Sequence, residues 1–358
     1  MTSNAPRYAV FVSPHGYGHA ARASGVMEAL NRHNGARFEV FTTAPRWFFE
    51  ESLKGLFEYH EVECDVGFRQ ASALKADLGA TAVALDELLP FPDDEIDRLA
   101  QLVRASGCEA LLADIAPFGV AVAERAGIPS VLVENFTWSW LYEPFFGEHP
   151  ELEGFSDELA MWRSRATVLI QTEPLCSRDE GARLVNPISR TPRLSRSDQL
   201  AALGVGEGER LIVVTMGGYG EPMPFLDELR SQDGVTFVVT GAQETSTDGN
   251  LRLFSNQTPI FMPDMMRAAD AVVAKLGYGT VAEVWAEGLP YAYVSRPGFP
   301  EMPPLEAFSK RELGALEMSP SDFSSGKWIG RIPELLSMPR TPRTNGGAES
   351  VAEVLAGL

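Results

Sequence analysis

Short apolar segments alternate with segments of helical periodicity along most of the chain, and this alternation limits the possible folds more than any other feature. Apolar strands separated by amphipathic helices are typical of parallel sheets with crossover connections, not of sandwiches or helix bundles. The sequence therefore predicts an α/β protein. Strands are predicted at Tyr8–Ser13, Arg37–Thr42, Phe57–Val62, Glu109–Asp114, Pro129–Glu134, Ala166–Gln171, Arg210–Thr215, Val235–Thr240, Pro259–Phe261, Ala271–Ala274 and Tyr291–Val294. Helices are predicted at Ala20–His33, Asp93–Ser106, Phe118–Ala126, Asp157–Arg165, Pro224–Ser231, Asp264–Ala269, Val281–Glu287, Leu305–Leu313 and Ala348–Leu355.

The length of 358 residues favours two domains, since single domains usually contain about 100–200 residues. The strand–helix pattern restarts after Asn186–Leu194, a segment rich in proline and turn-forming residues that is typical of a linker. We therefore predict an N-terminal domain over 1–185, a linker over 186–203 and a second domain over 204–335. The last segment, 336–358, contains a predicted helix that can pack back on the N-terminal domain.

The chain is strongly acidic, with 30 Lys and Arg residues against 49 Asp and Glu residues and a net charge of −19. Such a charge repels nucleic acid and anionic lipid, so neither is predicted as a partner. The three cysteines, Cys64, Cys108 and Cys176, form neither a disulfide framework nor a metal-binding motif, which is typical of a reducing compartment. Since neither an export signal nor a membrane-spanning stretch is visible, the sequence predicts a cytoplasmic protein without a transmembrane segment.

The first predicted strand ends in a glycine-containing turn, His15-Gly16-Tyr17-Gly18-His19, which precedes a helix. Glycines at such a turn let the backbone approach a ligand, and free N–H groups at the start of the helix favour an anion or a polarised hydroxyl. The third glycine and the later acidic residue of a nicotinamide-binding motif are missing. The turn is therefore predicted to face a ligand other than a dinucleotide.

A later strand ends in a second turn of this kind, in which Lys275, Gly277, Gly279, Thr280 and Glu283 follow one another closely. A cation, two glycines and a hydroxyl near a helix start suit a diphosphate, and the carboxylate suits the hydroxyls of a ribose. Thr280 and Glu283 also have the spacing of a capping box, which needs no ligand. Lys275 favours binding over capping, because folding poorly explains a cation at that strand end.

This second turn and its surroundings resemble the donor-binding motif of the GT-B glycosyltransferases. The resemblance rests on Pro263-Asp-Met-Met266, Ala269-Asp-Ala-Val-Val273, Lys275 to Glu283, Ala286-Glu-Gly-Leu-Pro290 and Glu301. The motif is shared by nucleotide-sugar transferases of the peptidoglycan N-acetylglucosaminyltransferase type. The resemblance implies a GT-B fold, in which two Rossmann-like domains with mostly parallel sheets face a central cleft.

The same resemblance implies which residues bind the donor. It assigns Lys275 and Thr280 to the diphosphate and Glu283 to the ribose. Many relatives hold the donor sugar with an acid followed by Gln, whereas Met302 follows Glu301 here, so the identity of the sugar is left open. The implied donor-binding residues are Gly217, Gly218, Lys275, Gly277, Gly279, Thr280, Glu283 and Glu301.

Two segments of the N-terminal half, His15–Arg22 and Glu134–Glu143, resemble the glycosyltransferase-like region of plant L-arabinokinases. The sugar-kinase half of those proteins has no counterpart in these motifs, so the resemblance implies no kinase activity. Aromatic rings stack on sugar faces, which makes the aromatic part of the second segment a candidate acceptor wall, with a loop tucked into the core as the equal alternative. The predicted acceptor-binding residues are His15, Gly16, Gly18, Trp138 and Trp140.

Glycosyl transfer to a hydroxyl needs a base for the acceptor proton and a cation or dipole for the departing diphosphate. His19 is the candidate base, since an unperturbed imidazole with a pKa of about 6.5 is partly neutral at pH 7. Asp114 ends a predicted parallel strand at the same sheet edge and can orient the imidazole; the inverting plant transferases have a His and an Asp at matching places. The alternatives are that His19 caps the turn or binds phosphate, that His15 shapes the turn, and that Asp114 caps the next helix.

The predicted function is that of an inverting glycosyltransferase, which moves a sugar from a nucleotide-diphosphate sugar, taken as UDP-linked, to a hydroxyl of a small-molecule or lipid-linked acceptor. No metal is expected, because glycines break the helix that His15 and His19 would need to act as paired ligands. No cofactor is expected beyond the donor. The alternatives are a nucleotide-sugar 2-epimerase or hydrolase on the same fold and a non-catalytic nucleotide-sugar-binding module. The sugar, hexosyl or N-acetylhexosaminyl, and the oligomeric state are left open.

Overall fold

The computed structural model of the protein describes residues 5–72, 75–217, 223–255, 258, 260–344 and 346–358. The chain divides into two compact units. Unit 1 runs to Arg190 and also contains the C-terminal helix, and unit 2 comprises Thr191–Thr344. Strands alternate with helices in both units, so the predicted α/β class is confirmed.

The strands described in unit 1 are β1 (Arg7–Val12), β2 (Arg37–Thr42), β3 (Phe57–Glu61), β4 (Gln70–Ser72), β5 (Lys75–Ala76), β6 (Cys108–Asp114), β7 (Ser130–Glu134), β8 (Val168–Thr172) and β9 (Arg183–Val185). Those described in unit 2 are β10 (Arg210–Thr215), β11 (Val235–Ala242), β12 (Ser246–Asp248), β13 (Leu251–Ser255), β14 (Ala271–Lys275), β15 (Tyr291–Val294) and β16 (Leu316–Met318).

The helices of unit 1 are α1 (Tyr17–Asn34), α2 (Arg46–Leu53), α3 (Leu78–Leu88), α4 (Asp93–Ala105), α5 (Pro117–Ala126), α6 (Trp138–Tyr142), α7 (Glu151–Ser164) and, at the end of the chain, α15 (Gly347–Ala356). Those of unit 2 are α8 (Arg196–Ala202), α9 (Leu226–Arg230), α10 (Met262–Ala268), α11 (Tyr278–Glu287), α12 (Met302–Leu313), α13 (Pro320–Ser324) and α14 (Ile332–Ser337). Within the described residues, no helix has the length and apolar character needed to cross a membrane.

Seven of the strands described in unit 1 form a sheet in the order β3-β2-β1-β6-β7-β8-β9, in which neighbouring strands are parallel. The other two, β4 and β5, form a separate antiparallel pair. The strand order reverses at β1, which lies between β2 and β6; we call this place the reversal point of unit 1. In open parallel sheets, ligands bind beyond the carboxyl ends of the strands at such a point. Val12 at the end of β1 is in register with Asp114 at the end of β6, so the segments that follow both strands start side by side.

Helix α5 packs closely on β1 near the carboxyl end of the strand. The strands β1, β6 and β7 are buried along nearly their whole length, as is typical of parallel sheets. Gly119 in α5 faces Phe11 in β1, and a Cβ atom at Gly119 would lie only 2.8 Å from the Phe11 Cβ. Any side chain at residue 119 would therefore push α5 away from the strand that leads to the first glycine turn.

The C-terminal helix belongs to unit 1 although it follows unit 2 in the sequence. Val351 and Leu355 of α15 are fully buried in one hydrophobic core with Leu30 of α1. At the edge of this contact, Arg32 of α1 pairs with Glu349 of α15 at 2.9 Å. Helix α15 thus completes the core around α1.

The described strands of unit 2 form a sheet in the order β12-β13-β11-β10-β14-β15-β16, parallel except for the antiparallel pair β12 and β13. The strand order reverses at β10, which lies between β11 and β14 and marks the reversal point of unit 2. Thr215 at the end of β10 is in register with Ala274 of β14. The turns that follow these two strands therefore start next to each other.

One predicted strand and several predicted helix starts differ from the structure in unit 2. The strand predicted at Pro259–Phe261 is wrong for Ile260 and Phe261, which lead directly into α10, and Pro259 lies outside the described residues. The strand of this region is β13, which pairs with β11 and is half-buried along most of its length. The helices predicted from Val281 and Leu305 each begin three residues earlier, at Tyr278 and Met302.

Candidate active site

The turn after β1 leads directly into α1 at the reversal point of unit 1. Its Gly16 is the N-cap of α1 and has a φ of 86°, in the left-handed region that glycine adopts at little cost. Nothing lies within 4 Å of the position of a Cβ atom at Gly16, so backbone conformation rather than crowding selects glycine. Gly18 is half-buried in the first turn of α1, and no side chain caps the start of this helix.

His19 and Asp114, which the sequence predicts as a catalytic pair, are hydrogen-bonded in unit 1. The His19 Nδ1 lies 2.9 Å from the Asp114 Oδ1, and the residues are only 7% and 1% exposed. An ionised carboxylate only accepts hydrogen bonds, so Nδ1 donates its proton and Nε2 carries the lone pair of the neutral ring. This is the tautomer that a general base requires. The alternative role of Asp114 as a helix cap is wrong, because the N-cap of α5 is Ala116.

Arg22 binds the same carboxylate from the next turn of α1. Its Nε and Nη2 donate to the Asp114 Oδ2 and Oδ1, each at 2.7 Å. Its Nη1 donates to the Asn135 Oδ1. Asn135 is itself held by hydrogen bonds from its Nδ2 to the carbonyl oxygens of Thr172 at 2.7 Å and Pro174 at 3.1 Å. The His19–Asp114 pair is therefore part of a buried ionic network with fixed geometry.

Burial and charge together set the ionisation of this network. Burial tends to raise the pKa of Asp114, but the Arg22 guanidinium and the hydrogen bonds from His19 and Arg22 outweigh it, so the pKa of Asp114 is lowered. Burial lowers the pKa of His19, the Asp114 carboxylate opposes this, and the Arg22 charge adds to the lowering; the net pKa of His19 is below its usual value. At neutral pH the pair is therefore a carboxylate and a neutral imidazole.

The backbone is strained directly after Asp114. Ile115 has a φ of 57°, in the left-handed region that β-branched residues avoid. Its N–H donates to the carbonyl oxygen of Val133 at 3.0 Å, which holds the bend in place. Strain of this kind costs about 1–3 kcal/mol and is found where the surrounding structure fixes a functional site.

The predicted acceptor-binding aromatics have different surroundings. Trp138 is 3% exposed, and its Nε1 donates to the Asp65 Oδ2 at 2.9 Å. Its ring packs edge-on against His15, with ring centroids 5.6 Å apart. Burial raises the pKa of Asp65 to about 7, against the lowering by hydrogen bonds from Ser13 and Trp138. Trp140 is half-buried on α6. The structure thus brings Trp138 and His15 together near the first glycine turn.

Two aromatic side chains beside this turn are exposed. Tyr17 is 43% exposed and Trp47 is 47% exposed, and their ring centroids are 5.7 Å apart. Helical spacing favours core packing for Trp47, Phe48 and Phe49; the structure buries both Phe residues and leaves Trp47 at the surface. An apolar ring surface two residues from His19 is available to a flat or sugar-like ligand.

In unit 2, the turns at the reversal point bring Lys275 against Gly217. Gly217 has a φ of 69°, and a Cβ atom there would lie 3.6 Å from the Lys275 Cε and 3.7 Å from its Nζ. Burial raises the pKa of Glu301, while the charges of Arg296, at 3.3 Å, and of Lys275 oppose the rise. Three predicted donor-binding residues are therefore close together, and a fourth, Gly218, lies outside the described residues.

Helix α11 begins at Tyr278, after the N-cap Gly277, and no side chain caps it. The capping-box interpretation is therefore wrong, because Thr280 lies inside the first helical turn. The first N–H groups of a helix have no partners within the helix, and the helix dipole adds a partial positive charge there. This end of α11, with half-buried Gly279 and Thr280, is suited to an anion. Glu283 lies one turn further along and is 9% exposed.

The described part of the chain contains no group of three or more His, Cys, Asp and Glu side chains arranged to hold a metal ion. The two histidines of the first turn have different neighbours, since His15 packs on Trp138 and His19 bonds to Asp114. In unit 2, Lys275 and the start of α11 both place positive charge at the turn that follows β14.

Arg22, Asn135 and Asp65 belong to the site, but the sequence pattern alone gives them no role. Arg22 follows His19 by three residues, a spacing that puts both on one face of a helix and was a usable signal. Asn135 follows β7, which is next to β6, so its position depends on the strand order. Asp65 lies in an irregular segment, and its position is fixed by the hydrogen bond from Trp138. No local sequence pattern predicts this contact.

The chain is similar to a known protein over nearly its whole length. No protein-family model matches the chain. The L-arabinokinase of Arabidopsis thaliana is 27% identical over 363 residues, which cover 97% of this chain and 34% of that protein. The chain thus spans about a third of the length of the curated relative that it matches.

Solved glycosyltransferase structures match both units. CalG4, the calicheamicin glycosyltransferase, has a TM-score of 0.63 at 16% identity over 98% of each chain. A UDP-glucosyltransferase from Polygonum tinctorium capable of glucosylating indoxyl has a TM-score of 0.63 at 15% identity, over 99% of this chain and all of the other. MurG of Acinetobacter baumannii has a TM-score of 0.58 at 13% identity, over 99% of this chain. The chain therefore has the GT-B fold, as predicted.

Proposed function

We propose that the protein is an inverting glycosyltransferase that uses a nucleotide-diphosphate sugar, with His19 as general base and Asp114 as its orienting group. The observation that carries this proposal is the buried 2.9 Å hydrogen bond between the His19 Nδ1 and Asp114, at the reversal point of a parallel sheet in a GT-B fold. It leaves Nε2 basic. A positioned base of this kind contributes about 10²–10⁴-fold to a rate.

In the proposed reaction, the His19 Nε2 removes the proton of an acceptor hydroxyl while the hydroxyl oxygen attacks the anomeric carbon of the donor. The bond from that carbon to the diphosphate oxygen breaks, and the nucleoside diphosphate leaves with the electron pair. A single displacement inverts the configuration of the carbon. The imidazolium then releases its proton to solvent.

Unit 2 is proposed to bind the donor. The Lys275 ammonium, 3.7 Å from the Cβ position of Gly217, and the uncapped start of α11 supply positive charge for the departing diphosphate. Glu283 is assigned to the ribose, and Glu301 to the border of the sugar site. The nucleotide is taken as uridine diphosphate, since a UDP-glucosyltransferase is among the structures of the same fold. The proposed reaction requires no metal ion.

Unit 1 is proposed to bind the acceptor next to Gly16. The exposed rings of Tyr17 and Trp47 lie beside the turn that carries His19, and rings of this kind cover the apolar faces of sugars and aryl groups. The acceptor class is therefore a sugar or an aryl compound with a free hydroxyl.

The first test measures donor binding. We expect UDP to raise the melting temperature and to bind in calorimetry in the presence of EDTA. UDP-glucose and UDP-N-acetylglucosamine are then incubated with the protein, with and without a panel of phenols and monosaccharides. Acceptor-dependent UDP release supports the proposal. Conversion of the donor without acceptor would instead indicate a hydrolase or 2-epimerase, and UDP binding without turnover would indicate a binding module.

A further inference from the structure

Arg22 is a buried cation that the proposed reaction does not yet use. It is 5% exposed, and a guanidinium in such a position is costly unless its charge is paired. Its pairing is specific, since two of its nitrogens bind the two oxygens of Asp114, each at 2.7 Å. Its third nitrogen is held by Asn135. The fork geometry of this contact is one that lysine cannot reproduce.

The charges around His19 come from several elements. Arg22 lies on the same helix and Asp114 at the end of β6. Asp65, in the segment after β3, has a carboxyl group close enough to interact with that of Asp114. The neighbouring thiol of Cys64 stays neutral, because burial raises its pKa well above the usual value. The Phe136 ring, which packs on His19 after β7, is uncharged.

These charges make protonation of His19 dependent on Arg22. With Arg22 and Asp114 both charged, the three side chains sum to zero while the imidazole is neutral, and protonation adds an uncompensated buried charge. Without Arg22, the Asp114 carboxylate faces a neutral imidazole alone, and protonation would create a neutral ion pair. A buried site favours the state with no net charge in each case.

We propose that Arg22 is a positioning residue that keeps His19 neutral: by binding both oxygens of Asp114, it prevents the carboxylate from holding the imidazole as a permanent imidazolium and leaves Nε2 free to take the acceptor proton. The role in transfer rests on the proposed function, whereas the effect on the imidazole needs no substrate. The Arg22 Nη2 lies 3.2 Å from the His19 Nδ1, close enough for its charge to act on the ring directly. The lowered pKa of His19 agrees with this arrangement.

The decisive measurement is an NMR titration of the His19 imidazole in wild type, Arg22→Gln and Arg22→Lys, with Arg32→Gln on the exposed side of α1 as the matched control. The protein has five histidines, so the signal that disappears in His19→Ala identifies His19. In Arg22→Gln we expect the proton affinity of His19 to rise at least about tenfold. Arg22→Lys keeps the charge, and we expect a much smaller rise. The control should titrate as wild type.

An unchanged or decreased proton affinity of His19 in Arg22→Gln would overturn the proposal. If this variant does not fold, Arg22→Gln combined with Asp114→Asn removes both charges and avoids an unpaired ion. The double variant tests the same idea, because its His19 should stay neutral at least as readily as in wild type. A proton affinity raised in the double variant would contradict the proposal.

The pH profile of kcat/KM supplies a second readout once an acceptor is found. We expect the acid limb of Arg22→Gln to move to higher pH, with partial recovery of the rate above pH 8, while a purely structural role would lower the rate equally at all pH values. A wild type without transferase activity, but with the expected titrations, would refute the proposed function and leave the inference on Arg22 standing. Transferase activity in wild type, together with an unshifted His19 titration in Arg22→Gln, would support the proposed function and refute the inference on Arg22.

Discussion

The segments β1–α1 in unit 1 and β14–α11 in unit 2 share a local structure but differ in what surrounds their side chains. In each, a parallel strand ends at or beside a reversal point, a glycine forms the N-cap, and no side chain caps the helix. Helix α1 then buries His19 and Arg22 against Asp114. Helix α11 instead keeps its first turn half-buried, with Lys275 ahead of it. Two uncapped, glycine-preceded helix starts thus have different surroundings: a buried imidazole and ion pair in unit 1, and a half-buried helix start preceded by a lysine in unit 2.

Replacement of His19 is the strongest test of this difference. We expect His19→Ala to lower the transfer rate by about 10²–10⁴-fold, because the acceptor proton then has no positioned base. UDP affinity, measured by calorimetry, should stay within about threefold, since the diphosphate site is assigned to unit 2. The matched control is His33→Ala, an exposed histidine near the end of the same helix. A large loss of UDP affinity in His19→Ala would make His19 a phosphate ligand and remove the contrast between the two turns.

Asp65 tests how strongly unit 1 excludes water near the base. Its pKa is raised to about 7 when folded and is about 3.9 when unfolded, so the folded state binds the proton more tightly. The free energy of unfolding should therefore fall as pH rises from about 4 to about 7. Asp65→Asn removes this penalty, and its stability relative to wild type should increase by about 2–3 kcal/mol from pH 5 to pH 8.

Urea unfolding at the two pH values measures this effect, with Asp86→Asn on α3, an exposed residue, as control. Only the change with pH counts, because the bond that the introduced amide makes to Trp138 does not depend on pH, whereas the ionisation of the wild-type carboxyl does. If the stability difference between Asp65→Asn and wild type does not depend on pH, Asp65 is well solvated. This part of unit 1 would then be as open to water as the first turn of α11.

Lys275 tests the other side of the comparison. We expect Lys275→Ala to weaken UDP binding by about 10–100-fold, since a charge-assisted bond to phosphate is worth about 1.5–3 kcal/mol. The loss should shrink at high salt. Lys327→Ala, whose side chain is 78% exposed, is the control and should bind UDP as wild type does. Unchanged UDP affinity in Lys275→Ala would mean that the turn of unit 2 is not an anion site.

The two N-cap glycines give the smallest and most direct contrast. Gly16 has a φ of 86°, so Gly16→Ala should lower the unfolding free energy by about 1–2 kcal/mol. Gly277 is extended at −165°, and nothing lies within 4 Å of its Cβ position, so Gly277→Ala should change stability by less than about 0.5 kcal/mol. Urea unfolding of both variants checks this. Equal losses would show that both turns need glycine for the same conformational reason.

Much of unit 1 could be predicted because its signals are local. The strand that ends at Asp114 and the helix that carries His19 follow from hydrophobic runs and periodicity, and parallel strands bring their carboxyl ends to one edge. The roles of Arg22 and Asp65 depend on contacts with residues about 70–90 positions away, which no local pattern encodes. In unit 2, Thr280 and Glu283 have the spacing of a capping box, whereas the helix starts two residues before Thr280, at Tyr278, and no side chain caps it.

The return of α15 to unit 1 has a consequence for how the protein is made. During synthesis the ribosome releases Thr191–Thr344 before α15 emerges, so the helix that carries His19 and Arg22 receives its last packing partner after every residue of unit 2 has left the tunnel. Val351 and Leu355 then join the core that contains Leu30, and until that moment the side of α1 that packs on α15 is exposed to solvent and to chaperones. The core of unit 1 is therefore completed only after all of unit 2 has been synthesised, although most of unit 1 is made before unit 2.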